Sequence, residues 1–386
     1  MSKEKTNINT LLFYLIFILY YLSLFINDLS YPENIISISS KIIKICTLGL
    51  MMIYLLKNFN EINKFKSVII LILASVLFIA SRDLIWIMIA FISFCSKSQT
   101  SEEILRTSYW ALFIGTIITL VLYLLGILPD VINYRSSNNT IRHSFGFYHS
   151  NVLPGILFYF TAYYAILKKE KSSKLLLFVI FLLNILLFFL CNSKNAFLCT
   201  ILVLIISFSS KIKIRTPIID FIIRFVSKNI MLIFFALSFI STYFRARAMH
   251  VDILNVFDGY LNGRIYLSAL KYNIVGVHFV NFMDSATYFS TQYTIDNGYT
   301  YILLRYGVLS AIIYMIVNLS FINRYKNNKF IQLIFMVIAF SNFIDNDFFS
   351  YGFLPFLIIG INSLGLLKKG RGKYETRYSI INSSNI

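Results

Sequence analysis

The residues in this chain that could hold or activate a charged group fall into a few short stretches. The densest is NNTIRHSFGFYHSN, residues 138 to 151, which gathers Arg142, His143 and His149 in a chain with four histidines in all. Arg142 offers a planar fork of donors that matches a phosphate. Either histidine is a candidate general base. A helix opening near Asn151 would aim its free N–H groups and positive dipole end at the same place, which favours an anion. The same residues also fit an interfacial loop with belt aromatics and a snorkelling arginine.

Four more stretches carry candidates. Asn192-Ser193-Lys194-Asn195 is a tight turn that presents Lys194 as a point charge, or a turn and nothing more. Asn262-Gly263-Arg264 is a turn signal, with Arg264 opening an amphipathic stretch to residue 273. In Thr294 to Tyr299, Asp296 is either a base or the cap of the helix that follows. Arg305 lies in the apolar run YILLRYGVLSAII, about 10 Å along that helix from Gly298. An arginine in such a run is a functional candidate unless it snorkels outward. Asp345-Asn346-Asp347 has a spacing that can hold a divalent ion in sugar transferases, but three-residue patterns are common by chance and it reads first as a polar turn. No metal site and no cofactor are expected.

These side chains must be positioned by a very apolar chain. It is 58% hydrophobic and 13% charged, with a mean hydropathy of +0.73. Apolar runs of bilayer-crossing length recur throughout, so the fold class predicted is an all-α polytopic membrane protein with about twelve transmembrane helices. The spans fall near 11–27, 39–56, 67–81, 84–96, 108–128, 150–167, 175–191, 196–210, 230–244, 298–320, 330–344 and 352–367. The pair joined by Ser81-Arg82-Asp83 is short enough to be a re-entrant hairpin instead. Residues 1–386 then form a single integral membrane domain. An interfacial helix is expected over 216–229, with Thr216 as its cap and Pro217 in its first turn. Outer loops are expected over 129–149 and 244–297, the larger carrying short helices.

The net charge of +18 could suggest nucleic acid, but the basic residues sit in short loops between apolar runs. About 24 of the Lys and Arg fall on one side, the pattern that keeps positive loops in the cytoplasm. KNFNEINKFK, KKEKSSK, SSKIKIR, NRYKNNK and KKGRGKYETR are the inner loops on that reading, and both termini are cytoplasmic. All four histidines, at 143, 149, 250 and 278, fall in the two outer loops. The four cysteines show no CxxC and no pairing pattern.

In order, spacing and sidedness these stretches resemble a Wzy-type polymerase of capsular or exopolysaccharide repeat units, within the O-antigen ligase/polymerase superfamily. The resemblance rests on R-H-S-F-G-F-x-H-S-N at 142–151, S-K-N-A at 193–196, G-R at 263–264, and D-N-G-Y followed by R-Y-G at 296–307. The sequence departs from the family at Ser150, where proline is common, and at Lys194, where arginine is. Asp296-Asn297 stands where related ligases carry His-Asn.

The resemblance implies a metal-independent, inverting glycosyltransferase at the outer face of a bacterial cytoplasmic membrane. Its substrates would be undecaprenyl-pyrophosphate-linked oligosaccharides, with a flippase and a chain-length regulator as further partners. Arg142, Asn151, Lys194, Arg264, Asn297 and Arg305 would bind substrate and pyrophosphate. Asp296 would be the base, with His143 or His149 as alternatives. Tyr260, Tyr266, Tyr272, Tyr288 and Tyr293 would stack on sugars. The rival readings are a flippase or transporter of the same lipids, an outer-leaflet ligase, a metal-dependent transferase using Asp345 and Asp347, and a structural or sensing membrane protein.

Overall fold

The computed structural model describes residues 2–58, 64–134, 140–169, 172–209, 217–247, 252–261, 263–290, 293, 295–346 and 350–365. Asn262, His250, Thr216, Asp347 and much of the SSKIKIR and KKGRGKYETR loops lie outside them. The described residues are overwhelmingly helical. The helices are α1 (Ser2–Phe25), α2 (Glu33–Asn58), α3 (Lys64–Ser81), α4 (Ile85–Cys95), α5 (Ser101–Leu124), α6 (Val152–Lys168), α7 (Lys174–Cys191), α8 (Lys194–Ser209), α9 (Pro217–Ala246), α10 (Asp252–Tyr260), α11 (Arg264–Val275), α12 (Ser285–Ser290), α13 (Gly298–Arg305), α14 (Val308–Arg324), α15 (Lys329–Ile344) and α16 (Leu354–Ser363). A small antiparallel hairpin pairs β1 (Asn133–Tyr134) with β2 (Ile141–Arg142), Asn133 opposite Arg142.

Four stretches are long and apolar enough to cross a membrane: Asn9–Asp28, Asn34–Asn58, Ser101–Leu124 and Lys174–Cys191. Seven further apolar helices run to 10–17 residues among the described residues, and α9 to 30. Leu11, Leu56, Phe65, Ile79, Leu175 and Phe189 are all more than 65% exposed. So much outward-facing hydrocarbon on so many helices suits lipid rather than water. Aromatic and aliphatic side chains from nearly every long helix close into one interior, with Phe13, Phe17, Tyr163, Phe321, Phe335 and Phe356 among its buried members.

Local signals set several helix starts. Thr100 and Glu103 close a capping box over the first turn of α5, which therefore begins well before its apolar run. Ser173 caps α7 and Asn328 caps α15. The bundle has two ends. At the upper one α6, α8, α11 and α13 begin and α7 and α15 finish. At the lower one α9 and α15 begin and α14 finishes.

Three elements differ from the sequence expectation. Residues 217–229 are not a separate interfacial helix; they are the first half of the continuous α9. Two of its polar side chains, Asp220 and Ser227, meet α15, while Arg224 and Lys228 stay exposed. Asp220 pairs with Lys329, and Ser227 Oγ meets Gln332 Oε1 at 3.4 Å. Ile218, Phe221 and Phe225 point outward.

The expected span 298–320 is broken at Tyr306-Gly307 into α13 and α14. A break leaves main-chain donors and acceptors without helical partners. Residues 278–281 of the large loop supply them: Val308 N–H donates to His278 O (2.9 Å), Leu309 N–H to Phe279 O (2.9 Å), and Asn281 N–H to Tyr306 O (3.4 Å). The Asn281 amide also donates to Leu304 O, at 2.5 Å. The α3–α4 break packs on the same place, with Asp83 Oδ2 accepting from Tyr306 Oη at 2.8 Å. Gly307 sits at φ 91°, where a Cβ would lie 2.8 Å from both His278 O and Phe279 O. Gly307→Val should therefore destabilise the fold by at least about 1–3 kcal/mol. Gly49→Ala, where a Cβ meets nothing within 4 Å, is the control, and thermal unfolding in detergent measures both.

The last span is also shorter than expected. Residues 350–353 descend into the interior before α16 begins, and their carbonyls are met by side chains. Tyr21 Oη donates to Tyr351 O (2.7 Å) and Tyr163 Oη to Gly352 O (2.5 Å).

Candidate active site

The stretch that opens α6 is shaped by one carboxylate. Asp130 Oδ1 accepts from Ser144 N–H (2.8 Å) and Phe145 N–H (3.0 Å). These bonds hold Phe145 in the left-handed region (φ 53°) and turn the chain from β2 toward α6. Successive residues of a strand face opposite ways, and Arg142 and His143 diverge accordingly. His143 Nδ1 lies 2.6 Å from Asp130 Oδ2. Burial alone would raise the Asp130 carboxyl, but His143 and the two amides hold it below its ordinary value.

Arg142 faces the other side. Its Nε donates to Cys191 O at the finish of α7 (2.8 Å), and an Nη donates to Asn151 Oδ1 at the start of α6. His149 lies beside it. Asn151 N–H donates to His149 Nδ1 (3.1 Å), so in the neutral ring the proton sits on Nε2. Burial and the Arg142 charge lower the His149 pKa, against the pull of Asp296 and Asp345. A neutral His149 with Nδ1 occupied is a hydrogen-bond donor toward the site, and a poor base.

Arg264 is the hub. It is the first residue of α11, whose opening amides at Ile265 and Tyr266 are capped by the buried Asp258 carboxylate, at 2.8 and 3.1 Å. The Arg264 side chain is 15% exposed. Its Nε lies 3.2 Å from Asp296 Oδ2, one Nη lies 3.0 Å from Asp345 Oδ1, and the other donates to Ile344 O. All three nitrogens are thus engaged by protein. Asp345 Oδ2 in turn accepts from the Asn195 amide on the first turn of α8.

Asp296 is held on one side only. Oδ2 meets Arg264, Oδ1 has no hydrogen bond among the described residues, and the side chain is 49% exposed. Crowding by surrounding protein raises its carboxyl above the ordinary range. Arg264 opposes this, Asp345 adds to it, and His149 opposes it more weakly; the balance is upward. Behind Arg264 is a recess of only ≈ 10 Å³ lined by Ser241, Thr242, Ser268 and Thr300, among others. That is room for a water, so a larger ligand would lie on the open side, toward Asp296.

The sequence candidates therefore separate. Arg142, His149, Asn151, Arg264 and Asp296 come together, and Lys194 stands exposed on the first turn of α8 beside Asn195. Helices α6, α8, α11 and α13 all begin beside this group; α11 is already capped by Asp258 and α13 by Asn297, so the starts of α6 and α8 are what favour an anion here.

The other candidates have other partners, although Asn297 lines the same recess as Arg264. His143 is turned away to Asp130. Asn297, not Asp296, is the cap of α13: its Oδ1 accepts from Thr300 N–H (3.0 Å) and from Ser238 Oγ of α9 (3.1 Å). Arg305 does not snorkel; it is fully buried at the helix break. It donates to Met283 O and Ser81 O, with the rings of Tyr288 and Tyr306 each 5.2 Å away. Tyr288 is buried under Lys271 and Arg305 and so is closed to a sugar, whereas Tyr266 is half-exposed, with the Arg245 guanidinium 5.4 Å from its ring.

Two members of the group carried weak sequence signals. Asn195 belongs to the S-K-N-A stretch, where its type alone suggests only a turn. Asp345 lies in the bend after α15, as a turn residue would, and also binds Arg264. Among the described residues no group of acidic, histidine and cysteine side chains could hold a metal. Because Asp345 pushes the Asp296 carboxyl up, Asp345→Asn should move the acid limb of any Asp296-dependent activity to lower pH. Initial rates across pH, wild type against variant, check the direction.

No protein-family model, curated protein or solved structure matches the chain.

Proposed function

We propose that the protein is a multi-pass membrane glycosyltransferase that joins lipid-pyrophosphate-linked oligosaccharide repeat units at the outer face of a bacterial cytoplasmic membrane. The observation that carries this reading is Asp296. It is a carboxylate with a raised pKa, one oxygen fixed by Arg264 and the other open, at a place where the starts of α6 and α8 and Arg142 favour an anion. A base and an anion site side by side are what a hydroxyl needs to displace a pyrophosphate.

In the proposed reaction the acceptor sugar hydroxyl attacks the anomeric carbon of the donor. The new C–O bond forms as the bond to the lipid pyrophosphate breaks, and the proton passes to Asp296 Oδ1. The direct displacement inverts the anomeric centre. Lys194 and Arg142 stabilise the departing pyrophosphate, His149 donates from Nε2, and Arg264 holds the base in place until a phosphate competes for it. The leaving group is already activated, so the reaction needs no metal.

One observation favours a second reading. Helix breaks at 81–84 and 306–307 meet around a buried arginine, and broken helices are a feature of transporters. A carrier of the same lipid-linked glycans is therefore kept as the alternative. The test is to extract and size lipid-linked glycans from cells with and without the gene. Loss of a ladder, with single units accumulating on the outer leaflet, supports the polymerase. Single units confined to the inner leaflet would transfer the assignment to the carrier.

A further inference from the structure

Far from Arg264, near the lower end, a crevice of ≈ 100 Å³ opens between α9 and α14 with Phe335 of α15 lining it. Met231, Leu232, Met315 and Leu319 make its walls apolar, and Leu232 is 55% exposed at its rim. Two polar groups are out of keeping with such a place. Asn318 is 2% exposed; its amide donates to Tyr314 O (2.7 Å), which leaves Oδ1 buried without a partner. Lys228, at the mouth, makes no hydrogen bond or ion pair among the described residues.

A buried acceptor among apolar walls is costly unless something donates to it. The surroundings are cationic. Arg224, Lys228, Arg324 and Lys326 are exposed at this end, while the nearby acid Asp220 is paired with Lys329. We propose that this crevice binds an anionic phospholipid of the phosphatidylglycerol class, its phosphate on Lys228 and a head-group hydroxyl donating to Asn318 Oδ1. A choline head has no donor for Asn318. An ethanolamine head has donors, but they come with a positive charge next to Lys228. An acyl chain continues along Met231 and Leu232. The site is separate from the Asp296 group and does not depend on the reaction proposed there.

The experiment is native mass spectrometry of the full chain in detergent, titrated with phosphatidylglycerol, phosphatidylcholine and undecaprenyl phosphate. Phosphatidylglycerol should be retained at least about tenfold more tightly than phosphatidylcholine, and Asn318→Leu or Lys228→Gln should each remove most of that preference. Leu232→Trp, which blocks the rim from an exposed position, should do the same without touching a buried residue, and decides the matter if Asn318→Leu unfolds. Equal retention of the two phospholipids, or a preference that survives all three variants, would mean that water alone satisfies Asn318 and would overturn the proposal. Displacement of phosphatidylglycerol by equimolar undecaprenyl phosphate would overturn it too, by assigning the crevice to a polyprenyl lipid.

Discussion

Asp296→Asn is expected to slow repeat-unit joining by roughly 10²- to 10⁴-fold, the usual contribution of a positioned general base. The substitution keeps the shape of the side chain and removes only its ability to take a proton. Single-turnover assays with purified lipid-linked repeat units measure the loss, and a variant as active as wild type would reduce Asp296 to a partner of Arg264. The pH dependence follows from the same carboxyl. Asp296 must be ionised to act, and its pKa lies above the ordinary carboxylate value, so wild-type activity should rise with pH through that raised pKa. The stability effect has the opposite sense. With the folded pKa above the unfolded one, the native state binds the proton more tightly, and stability falls as pH rises between the two values. Ionised Asp296 is therefore a burden on the fold at neutral pH. The inactive variant should melt at the same temperature as wild type or higher, a trade of stability for chemistry.

Arg264→Ala should do damage of two kinds. It leaves Asp296 and Asp345 facing the same vacated space without their shared cation. The Asp345 end is 20% exposed, so the loss there approaches the roughly 3–5 kcal/mol of a broken buried pair. The Asp296 end is 49% exposed and screened by solvent, and it adds little. Removing the positive charge also removes what lowers the Asp296 carboxyl, so residual activity should need a higher pH. Asp345→Asn moves the acid limb the other way, and the opposed shifts distinguish an electrostatic role for Arg264 from simple disruption. Arg264→Lys keeps the charge but not the geometry: an ammonium cannot span Asp296, Asp345 and the Ile344 carbonyl together. Its melting temperature should lie between those of wild type and Arg264→Ala, and scanning fluorimetry across pH orders the three.

Much of this arrangement was legible from periodicity and local signals. The start of α6 at Asn151, the helix after Gly263 and the short helices of the large loop follow from turn residues and apolar spacing, which are local. What was not legible depended on distant partners. Asp220 and Ser227 look like a head-group-facing stripe until Lys329 and Gln332, from a helix a hundred residues on, are placed against them. Asp345 has no local reason to be anything but a turn residue, because its partners Asn195 and Arg264 belong to two other helices. Arg305 reads from sequence as a functional candidate, or else as a side chain snorkelling to water, but the carbonyls it meets come from Ser81 and Met283. The break after it did have a local mark in Tyr306-Gly307, but in one sequence a lone glycine in an apolar run is only a weak sign of a break.

The loop segment that completes the α13–α14 break gives this region a kinetic property. Residues 278–281 cannot lift away without breaking four hydrogen bonds at once, two of them from the amides of Val308 and Leu309. Those amides can exchange their protons for deuterons only during that event. Their exchange rate is thus a clock for loop departure, readable with no substrate present. The segment precedes the break in the chain, so during synthesis the patch is made before the gap it fills, and the second half of the broken helix emerges with its partners already waiting.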